Sequence, residues 1–335
     1  MAAGFITWQH IVALLWMMSW TFVAGGKTSN SSSSSAQLPS STLSPSILVV
    51  GATGTTGLRA IQGLLDVGYT PSQLKILTRN KSKSKMKQLK QLGFNLVQAD
   101  LQCPSSLRNI GKDCFGCYIH ATGGDTAELD TSELVPKQDH GVKRIQQKHD
   151  IEKIITESRW NTHFTSLRAN LFGEELWKKY TRPDILKGIY PLSVNRWRKI
   201  YLTSVRDMGR LAGTVIARNH DNTQEKFHQS TTRILNVAGD HLTAPQIARI
   251  FGTAQGMKCR HYNNRQFTKV AKESFPELYE QIHFLQHSRE KTNIKRLKKE
   301  FSGLITSFAE FVDETQWAVS EKAFEDLSRP ETLEF

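Results

Sequence analysis

The sequence predicts an α/β protein built on a doubly wound parallel sheet. Three observations lead there. The apolar run Ser46-Ile47-Leu48-Val49-Val50 is followed at once by the glycine turn Gly51-Ala52-Thr53-Gly54-Thr55-Thr56-Gly57, and then by Leu58, Ile61, Leu64 and Leu65 at helical spacing. Further short apolar runs alternate with helical patterns, which is how buried parallel strands with crossover helices read. The chain has 335 residues, 39% of them hydrophobic, enough for a sizeable core. A mini-protein, a disordered tail protein and a polytopic membrane protein are thereby excluded. Four cysteines are too few for a disulfide scaffold.

The first strand, turn and helix stand in the order a pyrophosphate site requires, which makes the sheet Rossmann-type. Gly51 permits the tight turn, Gly54 lets backbone amides approach a phosphate, and Gly57 lets helix pack on strand. Thr53, Thr55 and Thr56 complete the loop and join it as candidate cofactor contacts. Gly68 closes the helix as its C′ residue. The second strand, Leu74 to Thr78, ends in Arg79 and Asn80. A cofactor without a 2′-phosphate is usually held there by Asp or Glu, so a basic residue favours NADP(H) over NAD. The third strand, Asn95 to Ala99, ends in Asp100 and Leu101, where adenine contacts are expected. The fourth, Cys117 to Ala121, ends in Thr122-Gly123-Gly124 beside the nicotinamide half. Cys114 and Cys117 form a C-x-x-C with no second pair, which favours buried thiols over a redox or zinc site.

The formal charge is +13, and part of it is concentrated. Between Lys75 and Lys90 lie seven basic residues and no acidic one, a candidate nucleic-acid stripe. Met86, Leu89 and Leu92 recur every third residue through it. The lysines are therefore read as the solvated outer face of a second helix, with no interleaved aromatics for stacking.

Residues 1–46 read as a targeting segment, expected to be disordered. They hold no Asp or Glu, and Lys27 is their one Lys or Arg. Ile11 to Ala24 matches a signal-peptide apolar region and is shorter than a membrane span, with cleavage expected near Gly26. Ten of the eighteen residues from Ser29 to Ser46 are serine. The pair looks like a two-part address, secretory first and then transit-like, of the kind used for complex plastids. Plain secretion and an uncleaved endomembrane anchor remain alternatives, the latter giving the one expected membrane contact.

Further matches accumulate along the chain: FTSLRANLFGEELW at 164–177, VRDMG at 205–209 and ILNVAGDHLTAPQIARIFG at 234–252. Together with GATGTTG, TRN and the Asp-Leu pair, they resemble the NmrA-like group of atypical short-chain dehydrogenases, over nearly everything from Ile47 onward. The resemblance implies a Rossmann core, mainly 47–170 plus returning segments within 200–240, and a smaller, mostly helical C-terminal substrate lobe, mainly 171–195 and 241–335. Asp207 is read as capping a helix that runs through Arg218, and Thr243 with Gln246 as a capping box. Ile200 to Val205 and Ile234 to Ala238 read as short strands returning to the sheet.

One departure stands out. About twenty residues that the family pattern leads one to expect are absent near 145–148, where a central strand and a polar loop over the nicotinamide belong. Val142 to Ile145 supplies at most a stub, so Phe164 to Arg168 would pair beside it or across a gap. Relatives in the wider superfamily place a Tyr four residues before a Lys to protonate the substrate. Here Arg144 stands four before Lys148. Lys148 can anchor the ribose or simply face solvent, and no general acid is identified.

In the lobe, Trp177, Tyr180, Tyr190, Tyr262, Phe267, Phe275, Tyr279, His283, Phe284 and His287 could wall a pocket, but core packing explains them as well and is preferred. His283 and His287 lack the carboxylate motif of a zinc site, so no metal is expected. The resemblance implies an NADPH-dependent reductase of a small carbonyl or quinone-like substrate. The alternative is a non-catalytic NADP(H) sensor read by a protein partner. A nucleic-acid binder is the less favoured third reading.

Overall fold

The computed structural model describes residues 20–26, 46–121 except 112, 162–177 except 170, 182–224, 232–263 and 276–315 except 289–290, with short helical pieces within 149–157 and 269–273. The first strands are β1 (Trp20–Gly26), β2 (Ser46–Val50), β3 (Leu74–Thr78), β4 (Asn95–Gln98), β5 (Cys114–Ala121) and β6 (Thr162–Ala169). They are followed by β7 (Leu171–Phe172), β8 (Ile189–Tyr190), β9 (Lys199–Thr203), β10 (Thr232–Val237), β11 (Asp240–Thr243) and β12 (Arg260–His261). The helices are α1 (Thr55–Asp66), α2 (Ser84–Gln91), α3 (Arg182–Leu186), α4 (Val205–Gln224), α5 (Ala244–Gln255), α6 (Pro276–His287), α7 (Ile294–Glu300) and α8 (Phe308–Glu314). Among the described residues no helix is long and apolar enough to cross a membrane. The chain divides into two units, residues 1–137, 147–167 and 212–235, and residues 138–146, 168–211 and 236–335.

The first unit is organised by a seven-stranded sheet in the order β10-β6-β1-β5-β2-β3-β4. Every residue of β2 is buried, because it lies between β3 and β5, parallel to both. That is why its sequence is a continuous apolar run and not an alternating one. α1 buries Leu58, Ala60, Ile61 and Leu64, and Gly68 follows its end with φ +98° as expected. A methyl group at Gly213 in α4 would fall 2.1 Å from the Gly63 carbonyl oxygen of α1, so small residues let the two helix backbones touch. In α2, Met86 and Leu89 are buried, Lys87 and Lys90 are exposed and Lys85 is half-buried, while Lys81 and Lys83 are exposed just ahead of the helix. The solvated-face reading holds for them. Leu92, expected on the buried side, is 39% exposed, because the helix stops at Gln91 and the chain turns at Gly93 with φ +90°.

The largest departure from expectation is β1. Residues 1–46 were expected to be disordered, yet Trp20–Gly26 is a strand of the central sheet. It runs antiparallel to β5, with Trp20 opposite Ala121 and Gly25 opposite Gly116, and its other neighbour is β6. The expected pairing of Phe164 to Arg168 across a gap or beside a stub is thus corrected: β6 lies beside the N-terminal segment. The stub Val142 to Ile145 lies outside the described residues.

The second unit holds a three-stranded sheet, β11-β9-β7, and the pair β12-β8. The expectation that Ile200 to Val205 returns to the main sheet is corrected by β9, which pairs with β11 antiparallel and β7 parallel. β10 does join the main sheet. The core of this unit gathers Tyr190, Ile200, Leu202, Ile247, Phe251, Phe308 and Phe311. The capping box of Thr243 and Gln246 opens α5 as expected, with Gly256 at φ +63° closing it. Asp207 is not the cap of α4. Ser204 fills that place, its hydroxyl accepting from Arg206 N–H at 3.1 Å. Asp207 instead accepts from the Thr306 N–H and hydroxyl at 2.7 and 2.8 Å, tying α4 to the segment before α8.

Candidate functional site

The glycine turn has the geometry of a phosphate cradle. Gly51 sits at φ +82°, and the Gly54 N–H donates to the Gly51 carbonyl at 3.1 Å. Gly54 is the N-cap of α1 and brings no side-chain acceptor to it, and the first turn holds no acidic residue. The N–H groups that open a helix lack intrahelical partners and carry the positive end of its dipole. Here they begin Thr55-Thr56-Gly57 and are left to a ligand. Gly57 has no alternative residue: a Cβ there would lie 2.1 Å from the Gly51 carbonyl oxygen. Thr53 is exposed on the turn, Thr55 half-buried and Thr56 buried. The Tyr118 hydroxyl of β5 donates to the Thr56 carbonyl at 3.3 Å, pinning the loop from below.

Parallel pairing brings the carboxyl ends of β2, β3 and β4 to one edge of the sheet. Arg79 and Asn80 leave β3 there, both exposed. The turn is shaped locally: Ser82 N–H donates to Asn80 Oδ1 at 2.7 Å, and Asn80 N–H to Thr78 Oγ1 at 3.3 Å. At the end of β4, Asp100 Oδ1 accepts from Gln102 N–H at 3.0 Å while Leu101 is buried. Gly51, Thr53, Gly54, Thr55, Thr56, Gly57, Arg79, Asp100 and Leu101 therefore all lie in loops or a helix start at the carboxyl ends of these three parallel strands. Thr122 and Lys148 lie outside the described residues.

His120 was not anticipated. It is buried near the carboxyl end of β5, and its carbonyl oxygen would lie 3.1 Å from a Cβ at Gly51. Only the pairing of β2 with β5 brings the two together. Cys114 and Cys117 both lie in β5, whose register against β2 shifts just after Cys114, and Cys114 is half-buried, less buried than expected. Cys117 is buried and its thiol is pushed well up by desolvation, as suits a buried thiol.

The second unit carries its own unanticipated group. Glu174 Oε1 accepts from the Val205 N–H at 2.9 Å and lies 3.3 Å from the Ser204 hydroxyl at the start of α4. The residue as a whole is half-buried, but Oε2 is sealed from solvent and has no hydrogen-bond partner among the described residues. Burial pushes the carboxyl up to about 7, against the lowering effect of its hydrogen bonds. Of the expected aromatics, Tyr190 is core and Tyr262 is 56% exposed. His283 and His287 stack with centroids 4.3 Å apart. The side chains of Trp177, Tyr180, Phe267 and Phe275 lie outside the described residues. An open groove of about 1520 Å³ in this unit is lined by Arg196, Trp197, Arg249, Lys258, Arg260 and His261 among others.

A Rossmann-type sheet with a glycine-turn phosphate cradle defines a dinucleotide-binding class of protein. Residues 44–145 match the NmrA-like family, the stretch that contains the cradle and Arg79. A photosystem II assembly factor of Cyanophora paradoxa is 36% identical over 103 residues. That match spans 31% of this chain and 27% of the relative's length. Among solved structures, the NADPH-dependent quinone oxidoreductase of Escherichia coli, complexed with NADPH, aligns with TM-score 0.56 and 18% identity. It covers 80% of this chain and 98% of that one. The triphenylmethane reductase of Citrobacter sp., complexed with NADP(H), aligns with TM-score 0.53 and 16% identity over 80% and 99% of the two chains. A nucleoside-diphosphate-sugar epimerase from Staphylococcus aureus gives 0.57 and 14% over 80% and 100%. These likenesses establish the fold.

Proposed function

We propose that this protein binds NADP(H) and acts as a reductase of a small carbonyl or quinone-like substrate. The observation that carries the reading is the open cradle, with Gly51 at φ +82° and an uncapped α1. The α1 N–H groups hold the pyrophosphate, Arg79 at the end of β3 takes the 2′-phosphate, and Asp100 with Leu101 flanks the adenine. The bound cofactor supplies the hydride. The two solved reductases complexed with NADPH or NADP(H) support the assignment.

The second reading is a non-catalytic NADP(H) sensor with a protein partner. A specific observation favours it: the sheet position where the family pattern places the strand leading to the nicotinamide loop is taken by β1, and Arg144 stands where a Tyr would protonate the substrate. Titration with NADPH and NADH decides the shared part. Micromolar NADPH binding with weaker NADH supports it, and no binding of either refutes both readings. Oxidation of NADPH by a panel of quinones and carbonyls then separates reductase from sensor. The plastid form of the two-part address is part of the same proposal, carried by the acid-free, serine-rich stretch after the apolar leader.

A further inference from the structure

We infer that the central sheet contains a strand-receiving site between β5 and β6, and that the leader segment Trp20–Gly26 is its occupant. The stretch read as part of an address is then also a structural strand. The inference stands on backbone pairing and does not depend on the cofactor.

The sequence pattern and the described strands together define the site. A parallel sheet is normally extended by a crossover that returns the chain to the neighbouring position. Between Ala121 and Thr162 the described residues supply no strand, and the sequence there offers just the Val142 to Ile145 stub. β5 and β6 would each present an unpaired row of N–H and C=O groups inside the sheet. Such edges invite a foreign strand or collapse. β1 closes both, with six residue pairs in register along β5 and β6 on its other side.

Composition and direction fit this occupant. A strand flanked on both sides has no place for proline in its ladder and favours apolar, β-branched residues, and Trp20-Thr21-Phe22-Val23-Ala24-Gly25-Gly26 is rich in aromatic and β-branched residues and holds neither proline nor charge. The serine-rich stretch after it, with two prolines and no long apolar run, would not serve. Because β1 is antiparallel to β5 and β2 parallel to it, Gly25 lies opposite Gly116 at the same edge where Ser46 lies opposite Cys114. The chain thus leaves β1 and enters β2 at one edge, two strand positions or about 10 Å apart. The nineteen residues 27–45 can reach roughly 60 Å when extended, so the connection closes without strain.

The two roles of the segment exclude each other in time. Seated in the sheet, it is withdrawn from any receptor that reads an apolar leader. Cleavage near Gly26 would leave the strand held by pairing alone. The site's ligand class is an extended, uncharged, proline-free apolar strand entering antiparallel to β5.

Hydrogen exchange on the full chain tests this, comparing Val23→Pro with Ser33→Pro. Proline at 23 removes a ladder donor in mid-strand, whereas residue 33 lies outside β1. The β5 amides that face β1 should stay protected in the native chain and in Ser33→Pro. In Val23→Pro they should lose protection, and excess peptide of the Trp20–Gly26 sequence should restore it while a scrambled peptide does not. Failure of Val23→Pro to fold while Ser33→Pro folds also supports the assignment. Unchanged β5 protection in Val23→Pro overturns it. So does the same loss in Ser33→Pro, or equal rescue by the scrambled peptide.

Discussion

Replacing Gly57 and Gly54 separately by alanine should divide the cradle's structural from its ligand-binding requirement. At Gly57 the added Cβ would lie 2.1 Å from the Gly51 carbonyl oxygen and 2.9 Å from the Ala52 Cα. These are backbone atoms and cannot rotate away. Restoring an ordinary contact moves α1 off the β2 turn by roughly 1 Å, and overpacking of this kind costs about 1–3 kcal/mol. The same displacement carries the Thr55 and Thr56 N–H groups out of line with a pyrophosphate. Each 1.4 kcal/mol so lost is about tenfold in Kd. Gly54 is different. Its φ of −82° suits any residue, and a Cβ there would sit 3.5 Å from the Gly51 oxygen, an ordinary contact. Gly54→Ala should therefore keep its stability within about 1 kcal/mol, yet fill the space over the helix N-terminus that a phosphate must enter. Thermal unfolding and NADPH fluorescence titration are the assays. The expected pattern is Gly57→Ala impaired in both and Gly54→Ala impaired in binding alone. Native NADPH affinity in a folded Gly54→Ala protein would refute the placement of the phosphate.

Other expectations follow from the same geometry. Arg79→Ala should weaken NADPH by about 10–100-fold, the loss of one or two charge-assisted hydrogen bonds, and leave NADH unchanged; equal loss for both cofactors in paired titrations would place the 2′-phosphate elsewhere. Glu174, raised from 4.5 to about 7 by burial, binds more protons folded than unfolded. Its contribution is complete below about pH 4.5 and is lost as pH rises through about 7, a difference of about 3 kcal/mol. Asp207 is raised too, first by burial, and adds in the same direction. Unfolding curves between pH 5 and 8 should thus slope downward less steeply in Glu174→Gln than in the native chain, and identical slopes would count against the buried carboxyl. Residues 1–46 fused to a fluorescent protein should direct it into the secretory route and on to a complex plastid; cytosolic fluorescence would remove the two-part address.

What was legible in the sequence was local. The all-apolar β2, Gly51 at positive φ, the close approach at Gly57, the capping box at Thr243 and the exposed lysines of α2 follow from neighbours a few residues apart. One residue's backbone preference or one helical face decides each of them. The departure from the family pattern near 145–148 was also a reading of spacing, and it falls outside the described residues.

What lies between β5 and β6 was not legible. Trp20–Gly26 meets β5 about a hundred residues away in sequence, and an apolar run of that length serves equally as a leader or a buried strand until a partner edge is known. β9 looked like a returning strand, but its partners β7 and β11 lie thirty to forty residues off on either side, and hydrophobic pattern does not name partners. The same limit applies to His120 beside Gly51 and to Glu174 against the start of α4. A carboxylate's pKa depends on which amides and which apolar walls surround it. The sequence by itself determined the cradle and the helix faces, because those rest on short-range geometry. The tertiary structure alone decided which strand lies between β5 and β6 and which acid is buried, because both depend on contacts between residues distant along the chain.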